Sequence, residues 1–527
     1  MVKRPGAFRI EEIDLSGPRP IEGVGTSTCG FLGTAERGPT SLTAIDGPDD
    51  YRRIFGGTVP GSYLCEAVGG FFGNGGERCY VARVAGSKAL AASACIGRGG
   101  VPIPSLRSSH RVQGSREPDQ VLRITALGPG TWGNRIQVQV KNGGVHGRAG
   151  SLDLVIDYRS RRRSPAPVKG AGRAEPRPPK SLDDIHELFR ELSPDPSSRN
   201  FFARVVTRDS ALVRMEGDPR PFVELKRPVP LGGGRDGRPP GLADYLGDPG
   251  AFPDERTGLA ALSGEDEISL VTSPDMHRVP GLSEALARSS GERGDRFAIL
   301  HTGPGTLPST RYHPPFTSGY AALYYPWIIV KKERGRGGVP IPPCGHIAGA
   351  FARVDRTLGA HHSPAGESLA GVLGLAPTLA REEEDALDRL GVNTLRGFAG
   401  GRFTVLGSGT LDSGGIRSIA TRRLLIYLEQ SICRGIGWAV GEPDTTRAVE
   451  GLRASIGEFL HRAWAEGKLA GQKEREAFFV RRGRDKERAV RKTGPLVFKI
   501  GVAPEKPGEF VVFTITRESS RFTVKEE

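Results

Sequence analysis

The chain has no run of eighteen apolar residues, so no membrane-spanning helix is expected. Its start, MVKRPGAFRIEEID, has no apolar core of the kind a secretory leader needs. Production in the cytoplasm is the resulting expectation. Cysteine is scarce: Cys29, Cys65, Cys79, Cys95, Cys344 and Cys433 form no CxxC pair and no Cys/His cluster at zinc spacing. A disulfide framework and a zinc module are thereby excluded, and buried free thiols are expected. Acidic residues are outnumbered, 60 against 74 basic ones, for a net charge of +14. The basic residues are spread out, with no aromatic-and-basic platform, so a specific nucleic-acid partner is not expected. An acidic protein partner uses that charge equally well. Aromatics are sparse at 7%, yet hydrophobic residues at 37% still supply a core. Glycine (74) and proline (41) are plentiful, which means many turns and long loops. At 527 residues, the length corresponds to about three or four domains.

The segment PGAFRIEEI at 5–13 alternates, with Phe8 and Ile10 on one side and Arg9 and Glu11 on the other. It reads as a strand, and the DLSGPRP that follows makes it an arm reaching from the body. Helices are expected at Gly47–Phe55, with Gly56 past the end, and from Tyr63 through Phe72, stopped by GNGG. CYVARV at 79–84 reads as a buried strand, and 86–120 as a linker or long loop. The octapeptide GRGGVPIP stands at 97–104 and again at 335–342, bracketing the middle of the chain. LRITAL, NRIQVQV and SLDLVIDY alternate as strands, and the basic, Pro-rich 159–180 reads as a solvated loop. SLDDIHELFREL at 181–192 is expected to be a helix capped by Ser181. ISLVTSPD and RFAILHT are apolar runs of the parallel-strand kind.

The last third has the strongest periodicity. A helix over 421–433 puts Leu424, Leu425, Leu428 and Ile432 on one face. A second, from Thr446 to Leu469, aligns Val449, Leu452, Ile456, Phe459, Leu460 and Ala463. EFVVFTIT closes the pattern as a strand with Val511, Phe513 and Ile515 on one side.

Catalytic chemistry is missing. There is no Walker A loop, since GNGGERCY lacks the Lys-Ser/Thr pair. GVGTSTCG is a poor nucleophile elbow, with Cys29 where glycine is needed. His361–His362 lies near Asp355 and Glu367, but adjacent histidines diverge and no HExxH accompanies them. Glu382–Asp385 reads as the exposed, dipole-favoured start of a helix. No catalytic, cofactor-binding or metal residue is assigned. The expectation is a non-enzyme without cofactors.

Read together, these segments resemble the contractile tail sheath family of phages and phage-tail-like injection systems. The likeness runs from PGAFRIEEI (5–13) through GVGTSTCGFLGTAERGP (23–39), FFGNGGERCYVARV (71–84) and GPGTWGN (128–134). It is strongest over YAALYYPWIIV (320–330), GHIAGAFARVDRTLGAHHSPAGE (345–367), GVNTLRGF (391–398) and RRLLIYLEQSI (422–432). EAFFV (476–480) and IGVAPEKPGEFVVFTI (500–515) complete it. The resemblance implies a mixed α/β multidomain fold whose middle has subtilisin-like architecture without a triad. It implies six-fold rings stacked helically around an inner tube, with baseplate and cap or terminator proteins as further partners, and leaves open a disassembly ATPase.

On that basis, an N-terminal arm is expected at 1–22 and an inner domain at 23–85 and 340–505. An outer region would be inserted at 86–339, and a C-terminal arm would occupy 506–527. The arms, through Phe8, Ile10, Ile13, Phe510, Val511, Val512, Phe513 and Ile515, are expected to add to a neighbouring subunit's sheet. Tethers at 14–20 and 504–508, with Pro18, Pro20, Pro504 and Pro507, would absorb rotation during contraction. Arg453, Arg462 and Lys468 are candidate inner-tube contacts. A second or baseplate-proximal sheath isoform, or a basic nucleic-acid scaffold, are the alternative readings.

Overall fold

The computed structural model describes residues 19–97, 102–103, 120–142, 151–160, 184–217, 225, 227–305, 314–332, 336–441, 443, 445–483 and 496–527. Two compact units result, one from Ser27–Thr357 with Pro364–Gly415, the other from Met1–Thr26, Leu358–Ser363 and Ile416–Glu527.

The larger unit is built on an eight-stranded sheet. Its order is Arg402–Val405, Val392–Phe398, Ala321–Tyr325, Phe297–His301, Leu270–Thr272, Cys29–Gly33, Cys79–Arg83, Thr43–Ile45. The six inner strands run parallel, and the two edge strands antiparallel. Cys29–Gly33, Cys79–Arg83, Phe297–His301 and Ala321–Tyr325 are buried at every position. That is why they read as unbroken apolar runs, as strands covered on both faces do.

Helix Leu64–Gly73 packs on helix Cys344–Thr357 at close range. A Cβ on Gly345 would stand 2.1 Å from the Ala67 carbonyl oxygen, and one on Gly349 would stand 2.4 Å from that of Phe71. The GHIAG spacing thus lets two backbones meet. Phe351 then reaches the sheet, its ring 6.1 Å from Phe297 and 6.5 Å from Tyr324.

Two four-stranded antiparallel sheets belong to the same unit. One is Val213–Gly217, Gln120–Ala126, Ser93–Gly97 and Pro102–Ile103; the other is Val229–Pro230, Ile136–Asn142, Leu152–Tyr158 and Ile185–Leu192. They share a core in which Trp132 and Tyr158 meet edge to face at 6.2 Å.

Several expectations change here. Residues 23–85 do not separate from the middle region, because Cys29–Gly33 pairs with Leu270–Thr272 on one side and Cys79–Arg83 on the other. Ile185–Leu192 is a strand, not a helix: paired to Leu152–Tyr158, it follows the two-residue alternation of Ile185, Glu187 and Phe189. Ser181 lies outside the described residues. The stretch 86–120 includes the strand Ser93–Gly97. Both GRGGVPIP copies give edge strands, Pro102–Ile103 and Gly338–Ile341, where proline's missing N–H costs no ladder bond. Of the carboxylates at 382–385, Glu384 is buried, with Arg396 Nε donating to its Oε2 at 2.7 Å.

The smaller unit packs helices Ile419–Gly435 and Thr446–Ala465 with a four-stranded antiparallel sheet. Ser418 and Thr445 cap the two helices, their hydroxyls accepting from Thr421 N and Ala448 N. All ten apolar residues expected on the two helical stripes are buried in one core.

Candidate functional site

The sheet of the smaller unit is where the expected assembly residues fall. Its order is Phe478–Arg482, Val497–Val502, Val511–Arg517, Phe522–Glu526, all antiparallel. Val511, Val512, Phe513 and Ile515 therefore do not form a free arm in the single chain. Their strand is paired on both sides, Val511–Thr516 to Val497–Val502 and Phe513–Arg517 to Phe522–Glu526. Phe513 and Ile515 are fully buried, and Phe510 lies 5.2 Å ring to ring from Phe479. The physical reason is a hairpin: Phe522–Glu526, unnoticed in the sequence, satisfies the outer ladder that an isolated strand would have left open.

Pro504 and Pro507 sit in the connection between two paired strands and not in a loose tether. Ala503 N donates to Ala477 O at 2.8 Å, and Gly508 N to Glu476 O at 2.9 Å. Phe8, Ile10, Ile13 and Pro18 lie outside the described residues. Of the other proposed tether, Pro20 is exposed, while Arg19 stacks over Trp438 at 3.9 Å. Ile21 is buried in the helical core, Val24 N donates to Ser431 Oγ at 3.0 Å, and Arg423 donates to Thr26 O at 2.8 Å. The chain is thus clamped along helix Ile419–Gly435 from Arg19 onward. A Cβ at Gly23 would meet the Tyr427 hydroxyl at 2.3 Å, so a side chain there would have to displace the tyrosine ring.

The three basic candidates differ in kind. Arg453 is exposed and pairs with Glu450 at 2.9 Å. Arg462 donates to Ile21 O at 2.6 Å. Lys468 pairs with Glu466 at 2.5 Å and lies 5.0 Å from the Tyr427 ring centre. Two of the three hold the chain's own structure. Beside Arg453 a groove runs between helix Thr446–Ala465 and the edge strand Phe478–Arg482, lined by Glu458, Lys473, Arg475 and Phe479.

In the larger unit, a cavity of about 880 Å³ lies beyond the C-terminal ends of Cys29–Gly33 and Cys79–Arg83, lined by Thr34, Glu36, Ser62, Arg83, Trp132 and Arg135. The C-terminal ends of parallel strands are a usual ligand position in α/β folds. The charged groups around it are engaged internally. Asp275, fully buried, accepts from Thr34 N at 2.9 Å and Tyr245 Oη at 2.7 Å and pairs with Arg278 at 3.0 Å. Glu36 accepts from Tyr158 Oη at 3.0 Å and lies 3.5 Å from Arg135.

Burial drives the Cys29 thiol well above its ordinary pKa, which makes it inert as a nucleophile. Burial likewise lowers His301 to about 4. Among the described residues no group of three His, Cys, Asp or Glu is placed to hold a metal, and no helix is long and apolar enough to cross a membrane.

The fold is that of contractile sheaths. The helical sheath of the anti-feeding prophage in its contracted state matches over 97% of this chain and 98% of its own, with TM-score 0.53 and 18% identity. The sheath tail protein of Listeria innocua matches over 96% of each chain, with TM-score 0.60 and 14% identity. Residues 253–411 match the family described as the phage tail sheath protein central domain. A stretch of 125 residues is 36% identical to the tail sheath protein of Vibrio phage KVP40, covering 23% of this chain and about a fifth (19%) of that relative's length. Residues 253–411 are thus similar to the phage tail sheath central domain, in a chain whose fold is shared with contractile sheaths.

Proposed function

We propose that the chain is the sheath subunit of a contractile tail-like particle, polymerising into a helical cylinder around an inner tube and driving that tube forward as it contracts. The observation that carries this is the sheath fold along nearly the whole chain together with the central-domain match at 253–411. The four-stranded sheet supplies a physical means. Its outer strands, Phe478–Arg482 and Phe522–Glu526, are each paired on one side only among the described residues. An open edge accepts an extended segment from another copy, and such a head-to-tail contact builds a filament when it does not close.

The segment with Phe8, Ile10 and Ile13 is the donor in this reading. The C-terminal strand, paired at home, donates only if its hairpin is exchanged. Arg453 is the basic candidate left to meet an acidic tube surface. The extended sheath is held kinetically, and subunits move as near-rigid bodies on firing. Assembly on a baseplate, closure by a cap or terminator, and production in the cytoplasm before incorporation into the particle belong to the same reading. So does the subtilisin-like description of the middle region, which is architectural and finds support in the helix-flanked parallel sheet.

A second reading, a baseplate-proximal sheath variant, draws on the match to a chain of the anti-feeding prophage baseplate, TM-score 0.51 at 17% identity. Negative-stain microscopy of the purified, overexpressed chain is the test. Hollow cylinders are expected, and deletion of residues 1–18 is expected to leave a folded protein that forms none. Persistent monomers of the intact chain at high concentration would sink the proposal.

A further inference from the structure

The core face of the C-terminal sheet carries a carboxylate where the pleat calls for an apolar side chain. Along the last strand Phe522, Val524 and Glu526 alternate onto one face, and Glu526 stands opposite the fully buried Phe513. Helix Ile419–Gly435 packs on this strand and brings Arg422 and Glu429, seven residues apart and so on one helical face.

Arg422 Nη1 donates to Glu526 Oε1, with the arginine side chain 5% exposed. Glu429 is 2% exposed, and its Oε1 has no hydrogen-bond partner. Burial first, and then the charge of Glu526, hold its carboxyl well above the ordinary range, against the opposing pull of Arg422. Cys433, one turn further, is raised to about 12 by burial and by Glu429, and stays neutral. The hydrophobic core of this unit includes Leu425, Ile432 and Phe522.

We propose that Arg422, Glu429 and Glu526 form a proton-linked latch: the ion pair holds the last strand on its helix while Glu429 beneath it is a neutral acid, and the strand's departure releases that proton to solvent. Phe522–Glu526 is an edge strand, so leaving breaks a single ladder. Once the strand has left, water reaches Glu429, which then ionises near the ordinary value of about 4.3. Between that value and its docked one, the detachment equilibrium shifts by up to tenfold per pH unit. A freed strand would leave Val511–Arg517 with an open edge. This last consequence rests on the assembly reading above; the latch itself is a property of the single chain.

Hydrogen exchange by mass spectrometry on the full chain at pH 6 and pH 8, with rates divided by intrinsic amide rates, tests the latch. Protection at 522–526 is expected to fall up to a hundredfold between the two, while the pairing of Phe478–Arg482 with Val497–Val502 is unchanged. Glu429→Gln is expected to abolish the pH dependence and keep the strand protected. Equal protection at both pH values in the native chain, or the same slope in Glu429→Gln, overturns the latch. Should Glu429→Gln fail to fold by circular dichroism, Glu526→Gln serves: it is expected to lower protection of the strand at pH 6, and unchanged protection overturns the proposal. Cylinder yield scored in parallel separates the two readings. A titrating latch with pH-indifferent assembly removes only the assembly consequence, whereas a silent latch with normal cylinders removes only the latch.

Discussion

The two main sheets of this chain obey different rules. The eight-stranded sheet of the larger unit buries its central strands on both faces, and the buried Asp275 beside it accepts from Thr34 and Tyr245 and pairs with Arg278. The four-stranded sheet of the smaller unit has apolar side chains on one face, a charged pair at its last inward position, and two edges bonded on one side only among the described residues. A parallel sheet buried on both faces has its register strongly specified, and its open ladders are confined to the short edge strands Arg402–Val405 and Thr43–Ile45. The small antiparallel sheet holds its last strand by a single ladder among the described residues.

The sharpest test of this contrast is core deletion in each sheet. Phe351→Ala, which empties the space between Phe297 and Tyr324, and Phe513→Ala in the small sheet should each cost about 3–5 kcal/mol in urea unfolding. If Phe513→Ala cost under about 1 kcal/mol, the strand would not be seated at home as described.

Acid should act on the larger unit through His301. Its ordinary value near 6.5 is lowered to about 4 by burial, so the unfolded chain binds its proton first. Stability is therefore expected to fall by up to about 3 kcal/mol as pH drops from about 6.5 to 4. His301→Gln should remove that part of the slope in denaturant titrations.

Alkali should act on the smaller unit in the opposite sense. Because Glu429 is raised, the folded chain holds a proton that the unfolded chain gives up. Stability is expected to decline as pH rises above the ordinary carboxylate value and to level off above the folded one. Glu429→Gln should gain about 1 kcal/mol or more at pH 8 by calorimetry, and no gain would mean the carboxyl is solvated.

The smallest effect is expected at Arg453→Ala. Its exposed pair with Glu450 contributes within about 0.5 kcal/mol, so monomer stability should not move. Any loss of cylinders by microscopy would then report a contact between molecules.

Much of the fold was legible because its signals are local. The apolar runs at 79–84 and 297–301 and the 3.6-residue stripe from Val449 to Ala463 need no distant partner to be read. Ile185–Leu192 is a strand for the converse reason. Its composition favours a helix, but Leu152–Tyr158 offers a ladder that outweighs propensity. The assembly residues were half legible. Val511, Phe513 and Ile515 were rightly placed on one face, yet Phe522–Glu526, beyond a break at Glu518–Arg521, was missed, and it changes a free arm into an inner strand.

The order of residues determined which segments are amphipathic, which are buried on all sides, where helices begin, and the sheath likeness of its motifs. Tertiary structure decided the partners. It joined residues 29–33 to 270–272 across more than half the larger unit's sequence, turned Arg462 inward onto Ile21, and set Glu526 against Arg422 over Glu429. Periodicity reports only the face a side chain prefers, whereas which strand or charge it meets depends on contacts between residues hundreds of positions apart.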